Sequence, residues 1–388
     1  MFINRRTLLA GTALTIGAGS LPFLGMAQKK TGSTLLNSTP QADGFRMPGE
    51  FENHEAIWLV WPESPEWRYR GKLAEPVIAE LAAVISEDMD VRLVVSRREA
   101  ARVRNLVPDS IEIVEMNGGT NWVRDDGATF LINDAGERRG IDWEFNDWGY
   151  PDDYWDTSKM ARRMLKKESA DRYRAPLVME GGSIHSNGRG TILTTEECLL
   201  NPNRNPDLSK TDIENHLKEY LSAQKVLWLP RGVFEDSTSG HVDNMACFVG
   251  PSEVILTWTD DRSDPQYERS AEALRVLESS TDAQGNRIKV HKLYQPGPLF
   301  VTDEERNSMP DSRAGEIEER MPASYVNYIL TNNRVVYPML DPEMDQEAER
   351  TFARAFPTRE IIGVPGREIL LHGGNFHCIS QNLPAIAG

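Results

Sequence analysis

The sequence predicts a mixed α/β fold in which strands outnumber helices about two to one. Short apolar runs of strand length recur along the chain, each bounded by polar or glycine-containing segments. Between some of them, longer stretches carry apolar residues at helical spacing on one face. Two or three strands recur for each helix, a rhythm unlike simple βαβ winding, although no clean sequence repeat accompanies it.

Asn4-Arg5-Arg6-Thr7-Leu8-Leu9, then a Gly/Ala-diluted apolar run to Leu24 and Gly25-Met26-Ala27, form the pattern of a twin-arginine signal. Cleavage after Ala27 and export to the periplasm are expected; an uncleaved anchor is the competing reading. Lys29 to Asp43 is small and polar and reads as a flexible leader, giving a signal over 1–27, a leader over 28–44 and one domain over 45–388. Leu73, Val77, Ile78, Leu81, Val84 and Ile85 mark the first helix face, followed by a buried-type strand from Val91 to Val95. A helix over Glu99 to Leu106 and strands over Ile111–Met116, Thr129–Asn133 and Ile141–Phe145 come next. A helix near Lys159–Lys167 precedes strands over Leu177–Met179 and Thr191–Thr194. Helix Asp212–Leu221, strands Val226–Leu229, Ala246–Val249 and Val254–Thr257, then helix Tyr267–Leu277 and strand Ile288–Leu293 continue the pattern. A hairpin from Tyr325 to Tyr337 turning at Asn332-Asn333, helix Met344–Phe356 and strand Glu360–Gly363 complete it.

With 388 residues, 39% of them hydrophobic, the chain can bury a large core, and past the N-terminal segment no apolar run reaches membrane-spanning length. The formal charge of −16 argues against nucleic acid and favours cationic small molecules. Three scattered cysteines supply neither a disulfide framework nor a Cys-x-x-Cys metal site.

Four segments are richer in polar groups than strand ends require. Thr120 to Gly127 sets Trp122 beside Asp125 and Asp126, although Asp-Asp-Gly is also an ordinary turn. Met179 to His185 places Glu180 at a strand end before two glycines. In Ser239 to Asn244, His241 and Asp243 stand two residues apart, and on an extended segment they point to the same side. Leu371 to Ser380 sets Cys378 behind Gly373-Gly374-Asn375, the context of a nucleophile, whereas Cys198 and Cys247 lie in apolar contexts of inert core thiols. No metal is expected, for want of a His-rich cluster. One thiol, one imidazole and several carboxylates suit a planar guanidinium, which carboxylates clamp in bidentate fashion and a thiolate can attack at carbon. A Cys-His-Asp peptidase would draw on the same residue types.

The segments Met47–Pro62, Asn121–Gly127, Asp142–Gly149, Met179–Pro206, Ser239–Asn244, Ala323–Ile329 and Glu368–Pro384 closely resemble the agmatine deiminases of the guanidine-modifying (pentein) superfamily, which also holds bacterial peptidylarginine deiminases. The resemblance implies a five-bladed α/β propeller and an agmatine deiminase-like catalytic domain from residue 45 onward. It implies Cys378 as nucleophile, His241 as general acid/base, Asp125 and Asp243 as carboxylates on the guanidinium, and Glu180 as the acid bonding substrate and histidine. Gly374 and Asn375 belong to the matched cysteine loop. The implied product of agmatine is N-carbamoylputrescine with ammonia, formed through an amidino-cysteine, without metal or organic cofactor; a homodimer is the family habit. Three positions depart from the usual pattern: Ser239 where Asn or Asp is usual, His372 where a third glycine is usual, and the tract Asn117 to Asn121. For the substrate's far end, Asp236 and Glu235 are candidates to meet an amine, and Trp122 and Trp61 to wall an aliphatic spacer. An exported deiminase of C-terminal peptidyl arginine and a noncatalytic guanidine or polyamine binder are the alternatives.

Overall fold

Among the described residues, the strand excess resolves into five small sheets built on one plan. The computed structural model describes residues 32–63, 71–117, 119–149, 159–308 and 320–386, so the signal expected over 1–27 and the first leader residues lie outside them. In chain order, β1 (Leu35–Leu36) and β2 (His54–Val60) precede helix α1 (Gly71–Ser86), β3 (Asp90–Val95) and β4 (Glu112–Glu115). β5 (Thr129–Ile132) and β6 (Arg138–Glu144) lead through α2 (Met160–Lys167) to β7 (Asp171–Val178). β8 (Ile184–Ser186) and β9 (Thr191–Thr195) lead through α3 (Lys210–Leu221) to β10 (Lys225–Leu229). β11 (Ala246–Gly250), β12 (Glu253–Trp258), α4 (Pro265–Ser279) and β13 (Lys289–Tyr294) follow. β14 (Ile329–Leu330), β15 (Arg334–Met339), α5 (Asp345–Ala355) and β16 (Glu360–Pro365) lead to the last strand, β17 (Ser380–Pro384).

In each sheet the first two strands of the unit pair antiparallel and the next pairs parallel after a helical crossover. A hairpin allows the first junction to be short, whereas parallel pairing requires a chain return of helix length. The fifth unit is assembled from both ends of the domain: β17 pairs antiparallel with β2, and β2 parallel with β3. Five such units are the blades of an α/β propeller, closed by the last strand against the first long one.

Helix boundaries follow local chemistry. Ser209 and Asp212 form a reciprocal capping box on α3, and Asp264 caps α4 with Pro265 at its first position. Apolar helix faces pack on their sheets: Ala74, Ile78, Leu81, Ala82 and Ile85 of α1 join Ile57, Leu59, Val91 and Leu93 in one core.

Several expectations need correction. Residues 35–43, read as a flexible leader, are docked: β1 pairs with β7 at Leu35↔Arg172 and Leu36↔Tyr173, and Asp43 accepts hydrogen bonds from Tyr173 Oη at 2.8 Å and Arg139 Nη1 at 2.6 Å. A two-residue strand of Leu35 and Leu36 within a polar tract is too short to show as a strand pattern. The strands His54–Val60 and Ser380–Pro384 were not among those predicted, and the helix expected over Glu99–Leu106 shortens to Ala100–Val103. The segment carrying His241 and Asp243 is not extended: Val242–Met245 is a single helical turn with His241 at its N-cap. Among the described residues, no helix is long and apolar enough to cross a membrane.

Candidate active site

Each blade presents polar groups from the same place, the turn just before its first strand. Asp125 lies in the turn Val123–Asp126 before β5, and Glu180 caps the short helical turn Gly181–Ser183 before β8. His241 and Asp243 precede β11, Asn327 precedes β14, and Cys378 precedes β17. The propeller thereby brings together five segments spread over some two thirds of the chain, and all six of these side chains are buried.

Asp125 Oδ1 accepts the Gly182 backbone N–H at 3.0 Å, and Oδ2 accepts Trp148 Nε1 at 2.9 Å. Asp147 and Trp148 both adopt left-handed backbone, at φ of 53° and 57°, turning the indole onto that carboxylate. Burial, with the Asp243 and Glu180 charges nearby, pushes the Asp125 carboxyl up to about 6 against the pull of His241 and Trp148. Glu180 Oε1 pairs with Arg204 Nε at 2.6 Å, and its Oε2 lies 3.5 Å from His241 Nε2. Burial opposes the Glu180 charge, but His241 and Arg204 outweigh it and hold the carboxyl below its ordinary value. On the other edge of the ring, His241 Nδ1 is 3.9 Å from Asp125 Oδ1. Burial disfavours the imidazolium, yet Asp125, Cys198 and Glu180 together raise the His241 pKa well above the usual histidine value.

Asp243 Oδ2 accepts from His377 Nδ1 at 2.8 Å and lies 3.5 Å from Cys378 Sγ, while its Oδ1 has no hydrogen-bond partner among the described residues. Asn327 Nδ2 stands 3.0 Å from the Cys378 sulfur, and Asn327 Oδ1 accepts the Cys378 backbone N–H at 3.2 Å. Burial and the neighbouring Asp243 and Asp125 charges push the thiol well above its ordinary pKa, against the Asn375 backbone N–H and Asn327.

Two glycines leave room where side chains would intrude. A Cβ at Gly182 would lie 2.6 Å from His241 Nδ1 and 2.9 Å from both Asp125 Oδ1 and Asp243 Oδ2. The three groups thus converge on one small space beside Gly182. At Gly374 a Cβ would meet the Trp122 ring at 2.6 Å and Cys378 Sγ at 3.1 Å. The neighbouring His372 needs no such freedom, since the left-handed position in the loop is Gly373, at φ 101°.

Every sequence-predicted catalytic residue reaches this centre. The proposed tail residues divide. Trp122 packs over the cysteine loop, while Trp61 is 1% exposed in the apolar cluster that also contains Trp122 and Cys378. Asn375 is buried within the loop, donating to the Gly366 carbonyl at 3.5 Å. Asp236, expected to meet a substrate amine, spends both oxygens inside the protein: Oδ1 on Thr238 and Oδ2 on Asn244 Nδ2 at 3.1 Å. Asn244 in turn accepts from Asn327 at 2.9 Å, so Asp236 lies behind the nucleophile's hydrogen-bond chain. Cys198, read as an inert core thiol, packs close to His241 and Glu180.

Sequence reading missed Asn327, Trp148 and Arg204 as individual residues, although each lies in a segment that carried the family resemblance. The fold also assembles two sets of close metal-capable groups that no local spacing announced, Glu50 with His185 and His377, and Glu180 with Cys198 and His241. In each, the carboxylate already pairs with an arginine, Arg124 or Arg204.

Ser239 occupies left-handed backbone at φ 66°, where Asn and Asp carry less strain. Ser239→Asn is expected to stabilise the fold by about 0.5–1 kcal/mol. Thermal unfolding reads this as a rise in Tm of about 1–3 °C; a fall would show that the 3.3 Å contact of Ser239 Oγ with Asn203 matters more.

A sequence model of the Porphyromonas-type peptidyl-arginine deiminase family matches residues 46–384. The similar curated proteins include several named "Putative agmatine deiminase". One from Shewanella baltica is 45% identical over 371 residues, covering 93% of this chain and all of its own; one from Mycoplasma capricolum is 47% identical over 363, covering 91% and 99%. A solved structure of the agmatine deiminase of Enterococcus faecalis superposes with a TM-score of 0.84 at 40% identity, over 91% of this chain and 99% of that one.

Proposed function

We infer the reaction from the premise that this chain belongs to the Porphyromonas-type peptidyl-arginine deiminase family: it is a hydrolase that deiminates agmatine to N-carbamoylputrescine and ammonia. The observation that carries the reading is the convergence of Asp125, His241 and Asp243 on the space beside Gly182, with the Cys378 thiol 3.5 Å from Asp243. A planar cation with N–H groups on several edges satisfies the Asp125 and Asp243 carboxylates there.

Binding that cation neutralises the charges that hold the thiol protonated, so the Cys378 pKa falls on binding. The thiol proton is released to solvent, where it ends on the departing ammonia, and the sulfur forms a bond to the guanidinium carbon. His241 Nδ1, facing this space while Nε2 faces Glu180, delivers a proton to the departing nitrogen. The C–N bond breaks, ammonia leaves, and an amidino group remains on Cys378. Water, deprotonated by His241, adds to the same carbon. The C–S bond breaks, the thiol re-forms and the ureido product departs. All of these steps use side chains of this chain.

Product analysis with agmatine, free arginine and a peptide ending in arginine, in parallel, tests the reading. Ureido product from agmatine supports it; turnover of the peptide alone moves the substrate to peptidyl arginine. Because Asp125 titrates near 6 and must be ionised to hold the cation, kcat/KM is expected to fall as pH drops through about 6, close to tenfold per unit below it. A flat profile down to pH 5 would remove Asp125 from the clamp.

We also propose export of the mature protein to the periplasm, supported by Arg5 and Arg6 ahead of the apolar run. Replacing both by lysine should hold the protein in the cytoplasm; unchanged fractionation would refute the signal. Outside the cytoplasm the enzyme would act on external agmatine, supplying the precursor of putrescine.

A further inference from the structure

His377, the residue before the nucleophile, is buried between two carboxylates. Its Nδ1 lies 2.8 Å from Asp243 Oδ2, and its Nε2 lies 3.0 Å from each oxygen of Glu50. Ionised carboxylates only accept hydrogen bonds, so both ring nitrogens donate and the ring sits as an imidazolium. Behind Glu50, Arg124 Nη1 pairs with Oε1 at 2.7 Å, its Nε donates to the His377 carbonyl at 3.3 Å and its Nη2 to Asn382 Oδ1 at 2.9 Å. Arginine, glutamate, histidine and aspartate alternate in charge and end at the oxygen that neighbours the sulfur.

We propose that His377 is a positioning residue for deimination: by donating to Asp243 Oδ2 it fixes the rotation of that carboxylate, whose Oδ2 lies between the Cys378 sulfur and the space beside Gly182. Glu50, from the loop before β2, fixes the ring in turn. This rests on the guanidine reading of the site. Oδ2 accepts from the Cys378 thiol at 3.5 Å as well as from His377; without the His377 donor the carboxylate is free to rotate, and its place between the sulfur and the cation is lost. The groups facing the imidazole are Asp243, Glu50, Arg124 and His185, whose ring centre is 6.2 Å away, with Cys378 next in the chain. Burial and Arg124 disfavour its charge, and Glu50 and Asp243 outweigh them, raising its pKa.

The test compares alkylation of Cys378 by 2-chloroacetamidine, a thiol reagent with a planar amidinium, in wild type, His377→Asn, His377→Leu and Glu50→Gln. Asparagine places its amide N–H where Nδ1 stood and loses only the link to Glu50. The expected second-order rate is within about fivefold of wild type for His377→Asn and slower by about thirtyfold or more for His377→Leu. Agmatine kcat/KM should follow the same order. Glu50→Gln removes the imidazolium's counter-charge, so the alkaline limb of the pH–rate profile should move down by about one unit. Leucine reacting like wild type, asparagine reacting like leucine, or an unmoved limb in Glu50→Gln would each overturn the proposal. Should wild type be alkylated yet leave agmatine untouched, the substrate reading fails, while the contrast between asparagine and leucine still decides the role of His377.

Discussion

Gly182→Ala is expected to lower kcat/KM for agmatine by roughly a hundredfold or more while the protein stays folded. The added methyl would lie 2.6 Å from His241 Nδ1 and 2.9 Å from oxygens of Asp125 and Asp243, inside the space assigned to the guanidinium. Gly182 has no left-handed backbone requirement, so the penalty falls on the space and not on chain conformation. Any relief must come from displacing the three groups whose spacing binds the cation. Steady-state kinetics with a circular dichroism spectrum and a thermal midpoint separates the cases. A folded variant with wild-type kinetics would show that the cation binds elsewhere.

Cys378→Ser is expected to reduce turnover by roughly 10⁴-fold to 10⁶-fold, the scale of removing a nucleophile that works in concert with its base. A serine hydroxyl beside Asp243 and Asn327 is far less acidic than a thiol, and the surroundings already oppose ionisation. Binding should persist, because the carboxylates and Gly182 are untouched. Isothermal titration with agmatine should therefore detect a complex in the serine variant. A variant that turns over at even one hundredth of the wild-type rate would assign the chemistry to another group.

Much of this site was legible because chemistry is locally encoded. Cys378 announces itself behind Gly373-Gly374, and Glu180, His241 and Asp243 each fall in a short polar segment at a strand end. The family resemblance assigned their roles, and the structure brings them together as expected. What local reading lost depends on long-range geometry. Asn327 sits among tyrosines and valine and reads as part of a strand; only the fivefold plan, in which each blade's entry turn faces the centre, marks it out. Asp236 looks like a free loop acid until the fold spends both its oxygens on Thr238 and Asn244. Cys198, beside Leu199 and Leu200, reads as a core thiol, yet the fold stacks it close to His241, about forty residues on. The family resemblance implied the propeller; in the residues themselves it was visible only as a rhythm of strands, since its blades share a plan of hydrogen bonding and no sequence repeat.

Mass analysis of the peptide bearing Cys378, taken from wild-type enzyme quenched with acid during agmatine turnover, tests the central claim most directly. A covalent intermediate predicts that this peptide gains the mass of agmatine less ammonia, and that the adduct is absent from Cys378→Ser. An adduct found on Cys198 or Cys247, or ureido product accumulating while Cys378 stays unmodified throughout the steady state, would contradict the account.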